Sequence, residues 1–216
     1  MSAHAAALAA LRSWSPPSAE QAALRNRYVD HLVAHPDGLA RACVPDHLTA
    51  STLVLSAETD AVLLTLHAKA HRWFQFGGHV EPGDADLADA ALREATEESG
   101  VAGLRFDPVP VQLSEHAVPF CGPSGDVHHL DVRFVAIAPA GSGHSVSDES
   151  LDVRWWPLDA LPELEPELHE LIALAMGRLQ SSPCEQARRG AQPAAELPAS
   201  PRPQLPASPS SRAPVE

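Results

Sequence analysis

The sequence predicts an α/β fold on three observations. Leu- and Val-rich runs of strand length, His47 to Ser56 and Ala61 to His67, flank Glu58-Thr59-Asp60 as in a β-hairpin, and a later run, His128 to Ile137, alternates in polarity. Apolar residues recur at helical spacing on either side of these runs, at Ala22, Leu24, Tyr28, Leu32 and Val33 and again at Leu168, Leu171, Ile172, Ala175 and Leu179. Between the strands, a glycine turn at Gly77-Gly78 feeds an acidic helix that stops at Gly100.

Taken in order, the chain divides into three parts. Residues 1–44 read as a helical extension: Ser18-Ala19-Glu20-Gln21 resembles a capping box, its helix ends near Pro36, and Pro45 then breaks the chain. Residues 45–180 hold the domain. There the hairpin is followed by a short apolar run, Trp73 to Phe76, then the glycines and the acidic helix, a strand at Val109 to Leu113 and a Gly/Pro turn at Cys121 to Asp126. Along the next strand Leu130, Val132, Phe134 and Ala136 point one way, and His129, Asp131 and Arg133 the other. That polar face suits the lining of a cleft, with His129 and Arg133 as candidate substrate contacts. A Gly/Ser loop, Ala140 to Ser147, leads to a strand around Val153 to Trp156 and to the last helical stripe, which packs on the sheet. Residues 181–216 are rich in Pro, Ala and Ser without apolar periodicity, and read as a disordered tail.

Composition narrows the function. A net charge of -13 and no basic patch argue against nucleic-acid binding, although bound metal ions reverse the local field enough to admit a small phosphorylated substrate. Cys43, Cys121 and Cys184 are far apart and lack metal-site spacing, so they read as free thiols in a reducing compartment. The Ala-rich start has no basic lead and is interrupted by His4, and no later run reaches membrane-spanning length. A cytoplasmic protein with no membrane partner is expected; nothing in the pattern sets an oligomeric state. Lys69, the chain's only lysine, stands with His71 and Arg72 just after the second strand, where cations serve equally as phosphate contacts or as solubilising charge.

The acidic helix carries the chemistry. Counted back from Gly100, Glu94, Glu97 and Glu98 fall at i, i+3 and i+4, so three carboxylates share one face. Glu97 and Glu98 also occupy the last turn, where the macrodipole disfavours each acid by about 0.3–1 kcal/mol. A hard divalent cation over that face removes the conflict, because such ions take oxygen ligands and neutralise clustered carboxylates. Gly77 and Gly78 let backbone approach a ligand closely, and Pro82-Gly83 turns the chain into the helix.

Gly78, Arg93, Glu94, Ala95, Glu97, Glu98, Gly100 and Val101 together resemble the Nudix box. Two departures stand out: the acid after the five-residue gap from Gly78 is Asp84 rather than Glu, and eight residues instead of seven separate it from Arg93. Asp84 or Asp86 is then a candidate helix cap. The resemblance implies an α/β/α sandwich with a central mixed β-sheet, and hydrolysis of a nucleoside diphosphate linked to another moiety through water attack on phosphorus. By the same resemblance Glu94, Glu97 and Glu98, with the carbonyl of Gly77, hold Mg²⁺ or Mn²⁺. Arg93 orients an acid, and the catalytic base is Glu94, Glu98 or a loop acid, Glu149, with Glu115 as its rival. Two alternatives share the fold: an isopentenyl diphosphate isomerase, which needs an active-site cysteine such as Cys121, and a catalytically silent nucleotide-sensing module. The latter usually carries a DNA-binding domain, of which the flanks show no sign.

Overall fold

A computed structural model describes residues 1–118, 127–147 and 150–181. Cys121, Glu149, Cys184 and residues 182–216 lie outside the described residues. The strands are β1 (Asp46–Leu55), β2 (Ala61–His67), β3 (Trp73–Phe74), β4 (Phe76–His79), β5 (Arg105–Ala117), β6 (His128–Ile137) and β7 (Ser150–Pro157). The helices are α1 (Ala3–Ser13), α2 (Ala19–Ala34), α3 (Leu87–Ser99) and α4 (Pro166–Ser181). The strands form one mixed sheet in the order β3-β2-β1-β6-β5, with β4 pairing β1 and β7 pairing β2. β1 and β6 run parallel over their full length and the remaining pairs are antiparallel. β5 begins at Arg105, four residues before the expected start. Pro108 and Pro110 fall inside its register shift, where their missing N–H groups break no ladder bond.

The pleat sorts this sheet into two faces. On one, Leu48 and Ala50 of β1 and Leu130, Val132 and Phe134 of β6 join residues of α1, α2 and α3 in a single core cluster. On the other, Leu53, Leu55, Val135 and Ile137 pack against Leu168, Leu171, Ile172 and Ala175 of α4. This is the α/β/α sandwich. The second face changes character halfway along the parallel pair. His47 lies beside His129, Thr49 beside Asp131 and Ser51 beside Arg133, before the apolar pairs Leu53–Val135 and Leu55–Ile137 begin. α4 covers the apolar half and leaves the polar half open.

α2 docks by a bond that sequence reading assigned elsewhere. Ser18 does accept the Gln21 N–H at 3.2 Å, but the reciprocal half of the capping box does not form. The Gln21 side chain instead donates to Leu113 O at 2.9 Å and accepts the Leu113 N–H at 2.7 Å, satisfying buried strand groups. Arg27 adds an ion pair to Glu115, at 2.5 Å, and another to Asp46, at 2.9 Å. α3 is pinned to β1 by Thr52, whose hydroxyl donates to Ala91 O at 2.9 Å.

Candidate active site

The loop between β4 and α3 is built around Arg93. Asp86 caps α3, accepting the Asp89 N–H at 2.8 Å, which leaves Asp84 for another task. Asp84 takes Arg93 in a bidentate pair, from Nε at 2.9 Å and Nη2 at 3.0 Å, and accepts the Glu81 N–H at 2.7 Å. Arg93 holds the Asp84 carboxyl below its ordinary value. The extra residue is accommodated in the turn, and the acid still reaches the arginine. The guanidinium also donates to His79 O at 3.0 Å, to Glu94 at 3.0 Å and to Glu97 at 3.3 Å. Arg93 thus ties together strand β4, the turn and the acidic face.

The glycines are required by contact. A Cβ on Gly78 would stand 2.6 Å from a Glu94 carboxylate oxygen, and one on Gly77 would collide with Ser51 of β1. With no side chain between them, the Gly77 N–H donates to Glu98 at 3.1 Å and the Glu94 carboxylate lies against Gly78. Gly100 ends α3 in the left-handed conformation, at φ 68°, as its position after the acids predicts. Asp84, Glu94 and Glu97 therefore gather on one guanidinium while Glu98 is held by the Gly77 N–H, and the three glutamates are an acidic set that suits a cation with oxygen ligands.

Of these acids Glu98 reaches a cleft of about 950 Å³ over the polar half of the sheet. Gly77, Glu98, His129 and Arg133 line it, as do the cations Arg41, Lys69 and Arg72. Glu94 is partly buried against Gly78, and Glu97 is exposed. Glu115, the rival loop acid, is engaged with Arg27 and does not line the cleft. Arg133 is 5% exposed, and its guanidinium bonds Asp131 at 3.1 Å and Gln112 at 2.9 Å. Burial alone would push the Asp131 carboxyl up; Arg133 and the Ser51 hydroxyl, at 2.7 Å, overcome it and hold the group ionised.

The cleft floor also carries residues that sequence reading did not connect. β6 places His129 opposite His116 of β5 and His47 of β1, and β4 brings His79 alongside. Burial pushes His129 down to about 3 and His79 to about 4, with the neighbouring imidazoles adding to the effect. All are neutral at pH 7. The alternation of β6 signalled its polar face, but nothing in the sequence signals that β1 and β6 pair in parallel.

Comparison with known proteins agrees with this fold. The NUDIX domain profile matches residues 45–175. The C. elegans Ap4A hydrolase binary complex has a similar fold, at TM-score 0.51 and 19% identity over 62% of this chain and 98% of that one. The NUDIX domain of Shewanella oneidensis NrtR, complexed with ADP ribose, gives 0.50 and 19% over 65% and 92%. A NUDIX-family hydrolase from Clostridium perfringens gives 0.49 and 23% over 61% and 97%. No curated protein matches the sequence. Fold and box together define a hydrolase of phosphoric anhydrides. The chain belongs to the Nudix family.

Proposed function

We propose that this chain is a metal-dependent hydrolase that cleaves the diphosphate bridge of a nucleoside diphosphate linked to another moiety. One observation carries the reading: Glu98, fixed by the Gly77 N–H, lines the same cleft as Arg41, Lys69 and Arg72. A cleft lined by both a box acid and cations suits a polyanion bound through a divalent ion. The cleft volume of about 950 Å³ suits a nucleotide derivative. No helix of the described residues is long and apolar enough to cross a membrane.

The donor set fits Mg²⁺ or Mn²⁺, since it consists of carboxylate oxygens beside a glycine strand that has no room for a Cβ. Glu94, Glu97 and Glu98 would hold the ion with the Gly77 carbonyl. When bound, it supplies charge neutralisation at the diphosphate oxygens and a lowered pKa for water. The chain's own work is positional. Asp84 anchors Arg93, Arg93 orients Glu94 and Glu97, and the Gly77 N–H sets the angle of Glu98. Glu98 is the box acid at the cleft surface and our candidate base, with Glu149 its alternative outside the described residues. His129 and Arg133 form the floor against which the substrate rests.

The test is release of phosphate or nucleotide from nucleoside triphosphates, dinucleoside polyphosphates, ADP-ribose and nucleotide sugars, with Mg²⁺, with Mn²⁺ and with EDTA. The solved relatives name an Ap4A hydrolase and a domain complexed with ADP ribose, so both compound classes belong in the panel. Release that EDTA abolishes is the expected result. No turnover on any member, with metal still binding, would overturn the reading.

A further inference from the structure

We propose that His47, His79 and His129 form a second metal site, for a borderline divalent cation of the Zn²⁺ class, where His79 and His129 line the cleft and His47 is fully buried beside them. One ring nitrogen of each lies within 4.8 Å of the others. The three ring centroids stand 4.9–5.1 Å apart, close to an equilateral triangle. Zn–N bonds are about 2.0–2.1 Å, so three ligands around one ion sit about 3.3 Å apart. Closing the triangle needs each ring to move by about 1 Å, within reach of side-chain rotation.

Three further observations favour an ion over a plain histidine cluster. His129 Nε2 is buried without a hydrogen-bond partner among the described residues, a costly state for a polar atom that a metal would relieve. His47 Nδ1 bonds the Cys43 carbonyl at 3.0 Å, the kind of outer contact that fixes a ligating imidazole. The three residues also come from three different strands whose register fixes them: His47 pairs with His129 across β1 and β6, and β4 sets His79 beside Thr49. An all-imidazole set selects Zn²⁺, Co²⁺ or Ni²⁺ over Mg²⁺ and Mn²⁺, which favour oxygen. Two strand residues, about 7 Å, separate His79 from Gly77, so this site is distinct from the carboxylate face and adjacent to it. Arg41 at the cleft mouth opposes any cation here, though as an exposed group it is screened by water.

The inference is independent of the hydrolase reading, and its test uses no substrate. Tag-free full-length protein, stripped of metal, is titrated with Zn²⁺ against a chromophoric chelator and with Co²⁺ by visible absorption, in parallel with the variants His129→Gln, His79→Gln, Glu94→Gln/Glu98→Gln and Cys43→Ser. The expected result is one tight Zn²⁺ equivalent and the intense visible bands of four-coordinate Co²⁺, both retained in the carboxylate and Cys43 variants. Loss of an outer-shell contact alone costs about 10–100-fold in affinity. Removing one of three ligands should therefore weaken Zn²⁺ by more than about 100-fold in each histidine variant that keeps its circular dichroism spectrum. Binding lost in the carboxylate variant but kept in His129→Gln would overturn the proposal. So would a thiolate-to-Co²⁺ charge-transfer band, which would place the ion at the cluster of His35, Asp37 and Cys43, and so would the absence of any tight equivalent.

Discussion

Replacing Asp84 with Ala tests whether the lengthened turn still performs the task of the family's box. The wild-type carboxylate accepts two hydrogen bonds from Arg93 and one from the Glu81 N–H, with its side chain only 4% exposed. Hydrogen bonds to charged groups contribute about 1.5–3 kcal/mol each, and removing one partner of a buried ion pair costs about 3–5 kcal/mol. Arg93 keeps its bonds to His79 O and Glu94 and is partly reached by water, so a net loss of about 3 kcal/mol is expected. For a domain of this size that is a fall of about 6–12 °C in Tm, measured by circular dichroism. The released guanidinium also lets Glu94 and Glu97 shift, and a misplacement near 1 Å costs about 100-fold in kcat/KM. A Tm within about 2 °C of wild type, a change under about 1 kcal/mol, with kcat/KM unchanged would refute the reasoning. The pH dependence supplies a second check. Because Arg93 holds the Asp84 carboxyl below its ordinary value of 3.8, the pair stabilises the fold above that pH and loses its contribution as pH falls through the lower folded-state value. The Tm gap between wild type and Asp84→Asn should close in that acid range.

Glu98→Gln is expected to abolish metal-dependent turnover with Tm nearly unchanged, and full activity would remove this glutamate from the mechanism. Gly78→Ala places a methyl 2.6 Å from a Glu94 oxygen, so Glu94 must turn away; kcat/KM should fall by about 100-fold, checked in the same turnover assay. Gln21→Leu leaves the Leu113 N–H and C=O buried without their partner, at about 1–3 kcal/mol each. It should lower Tm by about 4–24 °C and speed amide exchange at Leu113, while kcat/KM of the folded protein stays near wild type.

Local patterns made much of this protein legible. The hairpin of β1 and β2, the helix stop at Gly100 and the polar face of β6 each follow from spacing within one segment. Long-range partners did not. Asp84 was ambiguous because an inserted residue breaks its spacing to Arg93, and only the folded turn shows that the carboxylate still reaches the guanidinium while Asp86 takes over the cap. Gln21 met a capping-box pattern, yet buried backbone on β5 made a more demanding claim on its amide than the exposed helix start did. The histidine cluster was hidden for the same reason, since His47, His79 and His129 are brought together only by strand pairing.

The polarity switch along β1 and β6 links fold to site. Both strands change from polar to apolar between the same two pairs, Ser51–Arg133 and Leu53–Val135, on the same face of the sheet. A parallel register shifted by two residues would pair Ser51 with Val135 or Leu53 with Arg133, one polar side chain against one apolar. The buried ion pair of Asp131 and Arg133, bonded to Ser51, Thr49 and Gln112, opposes that slip, because a displaced partner would strand a charge in the core. Such a network adds less to stability than to register. Gln75, just before β4, donates to Ser51 at 3.1 Å and to Asp131 at 3.4 Å, so the same network anchors β4 beside Ser51, where the Gly77 N–H meets Glu98.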